Sequence, residues 1–295
     1  MKLYTLLQRT NVSQRLGGVT TMTKASYSTS LYPSSPAKFS SAAAPLMDYS
    51  FSDSDSEEDE DFPRISAFLP PLASNSRRVY LLRHGETDWN KEGKIQGGGF
   101  DIPLNENGRN QARSAARAME DIPLSLIASS PLSRASETAD MLTQGRDGYY
   151  ERVLVPGLRE MSFGEFEGFP RRKPDVCPDL KARYERIDGA CNADPTKAFP
   201  GGESAAIVAE RAKAAFFEML DRFSHHQHMA LVCHSRLNRI LISEAFLKDV
   251  TKFPHVEQGN SCINAIDIHE DGSADIKMLN FIDHVKGTLA PDSNV

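Results

Sequence analysis

Residues suited to gripping and moving a phosphoryl group occur at three separated places in this chain. Arg83-His84-Gly85-Glu86-Thr87 follows the apolar run Val79-Tyr80-Leu81-Leu82. Ser129-Ser130-Pro131-Leu132-Ser133-Arg134 follows Leu126-Ile127-Ala128, and His234-Ser235 follows Met229-Ala230-Leu231-Val232-Cys233. Each run reads as a short buried strand. Open sheets of such strands bind ligands beyond their carboxyl ends, so Arg83, His84, Arg134 and His234 are expected on one rim. Guanidinium groups match the oxygens of a tetrahedral phosphate and stay charged. An imidazole held between them can attack phosphorus and form a covalent intermediate. Phosphoryl transfer then depends on positioning and on neutralising charge over the equatorial oxygens. Gly85 is expected to let the backbone approach the ligand. The leaving oxygen needs a proton, which Glu160, after Val153-Leu154-Val155, can supply as a general acid. Phe163 and Phe166 are expected to lower the polarity around it, and Glu86, Glu165 and Glu167 are its competitors.

The elements that must hold these residues are legible as periodic patterns. A helix is predicted over 105–120, with Ala112, Ala115, Ala116 and Met119 on one face. Ser130-Pro131 reads as an N-cap followed by proline in the first helical position. That helix would carry Leu132, Ala135, Ala139 and Leu142 inward. A long helix is predicted over 203–223, through Ala205, Val208, Ala212, Phe216 and Leu220, and another after residue 234 through Ile240, Leu241 and Phe246. Later strands are expected at 262–268 and 276–279. Strands alternating with helices imply an α/β sheet covered on both faces.

Composition narrows the function classes. With 34 Lys and Arg against 40 Asp and Glu, the net charge is -6, which argues against a nucleic-acid binder. No apolar run approaches the roughly 18 residues a membrane span needs. The four cysteines form no CxxC pair, so a structural zinc site of that type is not expected. The first 77 residues are unlike the rest. Residues 1–47 lack Asp and Glu, and Lys2, Arg9, Arg15, Lys24 and Lys38 sit among many Ser and Thr. That is the composition of a mitochondrial or plastid transit peptide; a disordered leader on a cytoplasmic protein is the alternative. The run SDSDSEEDED at 52–61 reads as a solvated acidic linker. Its Asp53-Ser54-Asp55 lacks the apolar strand that paired-aspartate phosphatases place before the motif, and lacks the turn glycine of a calcium loop. The predicted organisation is a disordered leader at 1–77, a catalytic domain at 78–286 and a flexible tail at 287–295.

Five blocks in order, LLRHGETDWN, IASSPLSRASETA, LREMSFGEFEG, PGGES and VCHSRLNRIL, resemble the histidine phosphatase superfamily, the phosphoglycerate-mutase-like proteins. They span nearly all of residues 78 to about 286. The resemblance implies a three-layer α/β/α sandwich with a central, mostly parallel sheet. It implies a phosphohistidine at His84, a phosphate pocket of Arg83, Arg134 and His234, and Glu160 as proton donor. It also implies that Asn90 contacts phosphate and that Gln96 lies near the mouth. The reaction it implies runs on a small phosphorylated metabolite with no metal or organic cofactor, and a homodimer is among the assemblies it admits. Ser235 stands where many relatives have glycine. The FGEFEG block resembles the phosphatase type, and residues 160–201 are short for a mutase insert. Hydrolysis is therefore expected, with a mutase, a phosphoprotein phosphatase or a phosphate-binding partner protein as alternatives.

Three further patterns have bland first readings. Arg171-Arg172-Lys173 reads as a solvated basic loop; the sharper reading is a contact to a second acidic group on the substrate. Cys233 to Arg239 fits C-x5-R, the loop of cysteine-dependent phosphatases. Residues 235–238 contain no glycine, however, and Cys233 reads as packed core. His225, His226 and His228 read as a solvated cluster, with metal binding as the alternative.

Overall fold

The computed structural model describes residues 62–146, 148–173 and 176–289. The leader and linker expected up to residue 61, and the end of the tail from 290, lie outside the described residues. Among the described residues six strands form one sheet: β1 (Ser76–Arg83), β2 (Leu126–Ser129), β3 (Glu151–Leu154), β4 (His228–Cys233), β5 (Ile263–His269) and β6 (Ala274–Phe281), in the order β3-β2-β4-β1-β5-β6. β3, β2, β4 and β1 run parallel, while β5 is antiparallel to β1 and β6 to β5. The helices are α1 (Asp88–Lys91), α2 (Glu106–Ala118), α3 (Ser133–Met141), α4 (Pro178–Ala193), α5 (Ala205–Arg222) and α6 (Ser235–Leu241). Among the described residues no helix is long and apolar enough to cross a membrane.

The layering follows from the side-chain period of two along each strand. Val79, Leu81, Met229 and Leu231 face one way and pack on Ala212, Phe216 and Leu220 of α5 and Leu237 and Leu241 of α6. Tyr80, Leu82, Ala230 and Val232 face the other way, onto Ala115 and Ala118 of α2 and Ala135 and Ala139 of α3. Both faces of the central strands are apolar, so neither can face water, and the sheet is buried on both sides. A third, largely aromatic cluster gathers Phe163, Phe166, Phe169, Tyr184 and Phe199 beside the sheet.

Three expectations change. α3 starts at Ser133, not at Ser130-Pro131. Ser130 Oγ instead accepts from Leu132 N in a local turn, and the free N–H of Ser133 donates to Asp101 Oδ1 at 2.7 Å, from a distant loop. Ordered packing also extends past both predicted boundaries. Ile65 is fully buried on the α2–α3 face, and buried Ser76, the first residue of β1, bonds through Oγ to His269 Nδ1 of β5 at 2.8 Å. At the other end His284 and Val285 are buried, and the carbonyl of Thr288 accepts from Asn107 and Gln111. Finally, α4 was not predicted. Only Tyr184 and Cys191 of its sixteen residues are buried, so it carries no strong apolar stripe to read.

Candidate active site

Strand register sets the site. Arg83 of β1 lies opposite Cys233 of β4 in the parallel ladder, so the next residues, His84 and His234, leave the sheet side by side. The backbone N–H of His84 donates to the Cys233 carbonyl at 3.1 Å, and the two imidazole centroids are 5.3 Å apart. His84 Nδ1 lies 2.7 Å from the Gly85 carbonyl. A carbonyl only accepts, so Nδ1 carries the proton and a neutral ring keeps its lone pair on Nε2. Burial, with Arg134 and Arg83 adding to it, holds His84 well below the ordinary imidazole value. The ring is therefore neutral at physiological pH, the state a nucleophile needs. His234 is fully buried and held down by the same causes, and neither of its ring nitrogens has a hydrogen-bond partner among the described residues.

Two buried guanidiniums flank these rings. Arg83 donates to the Gln258 carbonyl at 2.7 Å. Arg134, the second residue of α3, donates to the carbonyls of Gly97 at 2.9 Å and Phe100 at 3.2 Å, and its Nε has no partner among the described residues. Burial lowers both groups to about 10, which leaves them cationic at neutral pH. Positive charge held in a dry site attracts an anion far more strongly than it would in water.

Glu160 is fixed by backbone amides. Its Oε1 accepts from Met161 N and Leu237 N, both at 2.9 Å, and its Oε2 from Arg236 N at 3.2 Å. Arg236 and Leu237 belong to the first turn of α6, whose N-cap His234 supplies no side-chain bond. Glu160 thus satisfies helix-end donors from outside the helix. The expected aromatic surroundings are only half present. Phe163 lines the same pocket, but Phe166 turns into contact with Phe169, Tyr184 and Phe199, and amides are what touch the carboxylate. The competitors are occupied elsewhere. Glu86 accepts from Asn105 and Asn107, Glu165 pairs with Arg183, and Glu167 accepts from Ser162, Phe163 and Gly99. Of the four, Glu160 alone lines the pocket.

Six of the seven predicted site residues, Arg83, His84, Asn90, Gln96, Arg134 and Glu160, line one pocket of about 230 Å³. His234 packs behind His84 with no exposed surface. Asn90 Oδ1 accepts from Thr87 and Asn260, so any contact it makes to phosphate oxygen uses its amide N–H. Gln96 is buried and its Oε1 has no partner among the described residues. Gly85 has a different reason from the predicted one. A Cβ there would lie 2.3 Å from the Gly108 carbonyl, so the missing side chain makes room for the first turn of α2, not for a ligand. The cysteine reading also fails on chemistry. Cys233 is fully buried and burial pushes its thiol far up, which opposes the thiolate that reading requires.

Several residues at the site carry no signal in the linear pattern. Arg211 of α5 pairs with Glu203 through two bonds, at 2.8 and 2.9 Å, and donates to the carbonyls of Gly157, Arg159 and Glu160. Glu203, from the PGGES block, in turn accepts from Ser162 N. The pair clamps the loop that presents Glu160. Behind His84, Asn260 Nδ2 donates to the His84 carbonyl, while Asn238 and Asn264 donate to the carbonyls of Leu82 and Leu81. Arg171 and Arg239 line the pocket, as do Tyr184, Asp188 and Asn192 of α4; Arg172 and Lys173 do not. Arg236 lines it too, tied to Asn192 at 2.7 Å and Asp188 at 3.1 Å.

Comparison with known proteins agrees with this geometry. Residues 79–281 match the histidine phosphatase superfamily, branch 1. The adenosylcobalamin/alpha-ribazole phosphatase of Salmonella typhimurium is 31% identical over 203 residues, which cover 69% of this chain and 96% of that protein. A Cronobacter sakazakii protein whose name places it among the phosphoglycerate mutases is 37% identical over 144 residues, 49% of this chain and 63% of its own. Among solved structures, mycobacterial glucosyl-3-phosphoglycerate phosphatase superposes with a TM-score of 0.61 at 27% identity, covering 70% of this chain and 99% of its own. The family match spans well over half of the chain and contains every residue of the pocket described above, and on that ground the chain belongs to branch 1 of the histidine phosphatase superfamily, as one of its phosphatases.

Proposed function

We propose that the chain hydrolyses small phosphomonoesters in two steps through a phosphohistidine at His84. In the first step His84 Nε2 attacks phosphorus, the bond to the ester oxygen breaks, and a proton carried by Glu160 goes to the leaving alcohol. In the second step water attacks the phosphohistidine, Glu160 takes a proton from it, the P–N bond breaks and phosphate departs. Arg83, Arg134 and His234 hold the transferring oxygens throughout. Uncatalysed monoester hydrolysis is so slow that acceleration on the order of 20 kcal/mol is needed. Preorganised charge in a dry site supplies the largest share of such terms, so no metal is required for the chemistry. The observation that carries the reading is the buried, neutral His84 ring, with Nδ1–H on the Gly85 carbonyl and Nε2 unencumbered between two buried cations.

The substrate carries a second acidic group in this reading. Arg83, Arg134, Arg171 and Arg239 line the pocket against the carboxylate of Glu160, while the lining Lys94 and Arg236 are paired with Glu92 and Asp188. One phosphoryl dianion does not balance that set. The pocket volume suits a metabolite below drug size. Hydrolysis is favoured over mutase action by the phosphatase-type FGEFEG block and the phosphatase relatives; the mutase-named relative keeps phosphoryl return to a second hydroxyl as the alternative. A panel of phosphorylated metabolites, followed by released phosphate in the presence of chelator, tests the proposal. Phosphorylated acids should be turned over ahead of neutral phosphomonoesters. Arg171→Ala should raise KM for the acids about tenfold and leave neutral substrates unchanged. Isomerised product exceeding free phosphate would favour the mutase, and a preference for neutral esters would remove the second acidic group.

A further inference from the structure

The loop before β4 is exposed at His225, as its sequence implied, but not at His226. His226 is buried, and its Nε2 has no hydrogen-bond partner among the described residues. It lies 3.6 Å from Oε1 of Glu151, and Nε2 of the neighbouring exposed His225 lies 3.8 Å from the same oxygen. Both separations are too long for hydrogen bonds. The three donor atoms lie within 4.8 Å of one another. A tetrahedral ion with bonds of about 2.0–2.1 Å holds adjacent ligand atoms roughly 3.4 Å apart, so each histidine needs to approach the Glu151 oxygen by only a few tenths of an ångström, while the remaining edge of the triad, within 4.8 Å, closes by a rotation of the exposed His225 ring.

We propose that Glu151, His225 and His226 form a site for a single zinc-class divalent cation. Two imidazoles and a carboxylate suit zinc better than magnesium or calcium, which prefer all-oxygen ligands. The exposed face of His225 gives the ion an entry path and leaves room for water as the fourth ligand. The placement also indicates a role. Glu151 opens β3, a four-residue strand at the sheet edge that pairs only with β2. His225 and His226 lie in the turn between α5 and β4, two strands inward. A bound ion therefore ties the edge strand to the turn. It does so at the amino ends of the strands, on the rim opposite His84, so it acts on stability and not on phosphoryl transfer.

The test uses the full chain stripped with chelator and desalted at pH 7.5. Titration with zinc ion should show one equivalent binding at micromolar affinity or tighter, with a rise in Tm that magnesium ion does not reproduce. Cobalt ion in its place should give the visible bands of a four- or five-coordinate site. His225→Ala, at an exposed position that does not threaten folding, and Glu151→Gln should each weaken binding at least tenfold and leave phosphatase activity unchanged. A stripped chain that takes up no zinc ion at micromolar concentration overturns the proposal. So does unaltered affinity in both variants, which would place the metal elsewhere, for instance on the imidazoles of the phosphate pocket.

Discussion

The carboxylate of Glu160 does two jobs that pull on the same atoms. It satisfies the amides of Arg236 and Leu237 at the head of α6, and in the proposed reaction it also protonates the leaving oxygen. Glu160→Gln separates them in large part, because the amide oxygen still accepts from Met161 N and Leu237 N, only the weaker bond from Arg236 N is lost, and the group no longer exchanges a proton. With an alkyl phosphate the variant should lose about 10²–10⁴-fold in kcat, the usual worth of a general acid. With p-nitrophenyl phosphate, whose leaving group departs without a proton, the loss in the first step should nearly vanish. Steady-state rates on both substrates check this; equal losses on the two would assign Glu160 a purely structural part. The ring of His84 is legible from sequence because it abuts an apolar run, and so are Arg83 and His234. The role of Gly85 was not, because the carbonyl it makes room for belongs to Gly108 in another element.

At the scale of elements, precision depends on contacts that cross the chain. Arg211 reaches the Glu160 carbonyl from α5, at a sequence separation of 51 residues, and it ties down Glu203 and the Gly157–Arg159 turn at once. Arg211→Lys keeps a charge but loses the planar fork. It should lower kcat by roughly 10–100-fold, the scale of a 1 Å misplacement of a catalytic group. If Arg211 acts by placing Glu160, its effect should largely disappear in the Glu160→Gln background, and a double-mutant cycle measures that coupling. Additive losses would mean that Arg211 acts on something else. The elements legible in the sequence were those with an apolar run or stripe: β1, β2, β4, β5 and β6 among the strands, and α2, α3, α5 and α6 among the helices. The polar helix α4 was not. It offered only Pro178 at its start, yet it brings Tyr184, Asp188 and Asn192 to the pocket wall. Helices that bury little leave little periodicity, and walls of ligand sites are built from such helices.

Across the whole molecule, the fold keeps neutral histidines in places that favour the uncharged form. Burial lowers His84 and His234 well below the usual value, and His284, packed under the carbonyl of Ser261, to about 4. In the unfolded chain each titrates near 6.5, so the unfolded state binds more protons wherever the pH lies between the two values. The stabilisation is fully present above about pH 6.5 and is lost as pH falls toward the depressed folded values. Each histidine contributes a slope of up to roughly 1.4 kcal/mol per pH unit. Urea unfolding at pH 5.0, 6.0 and 7.0 should therefore show stability falling steeply below 6.5, and His284→Gln should flatten the slope. A pH-independent midpoint across that range would contradict the neutral-histidine arrangement.

The phosphoryl–imidazole bond is the claim on which the rest depends. The chain should be mixed with a ³²P-labelled phosphomonoester, quenched with alkali on the millisecond scale, digested and mapped. Label should reside on the peptide containing His84, stable to alkali and lost in acid, and should be absent from His84→Ala. Turnover that continues with no label on that peptide, or label on His234 in its place, would contradict the account.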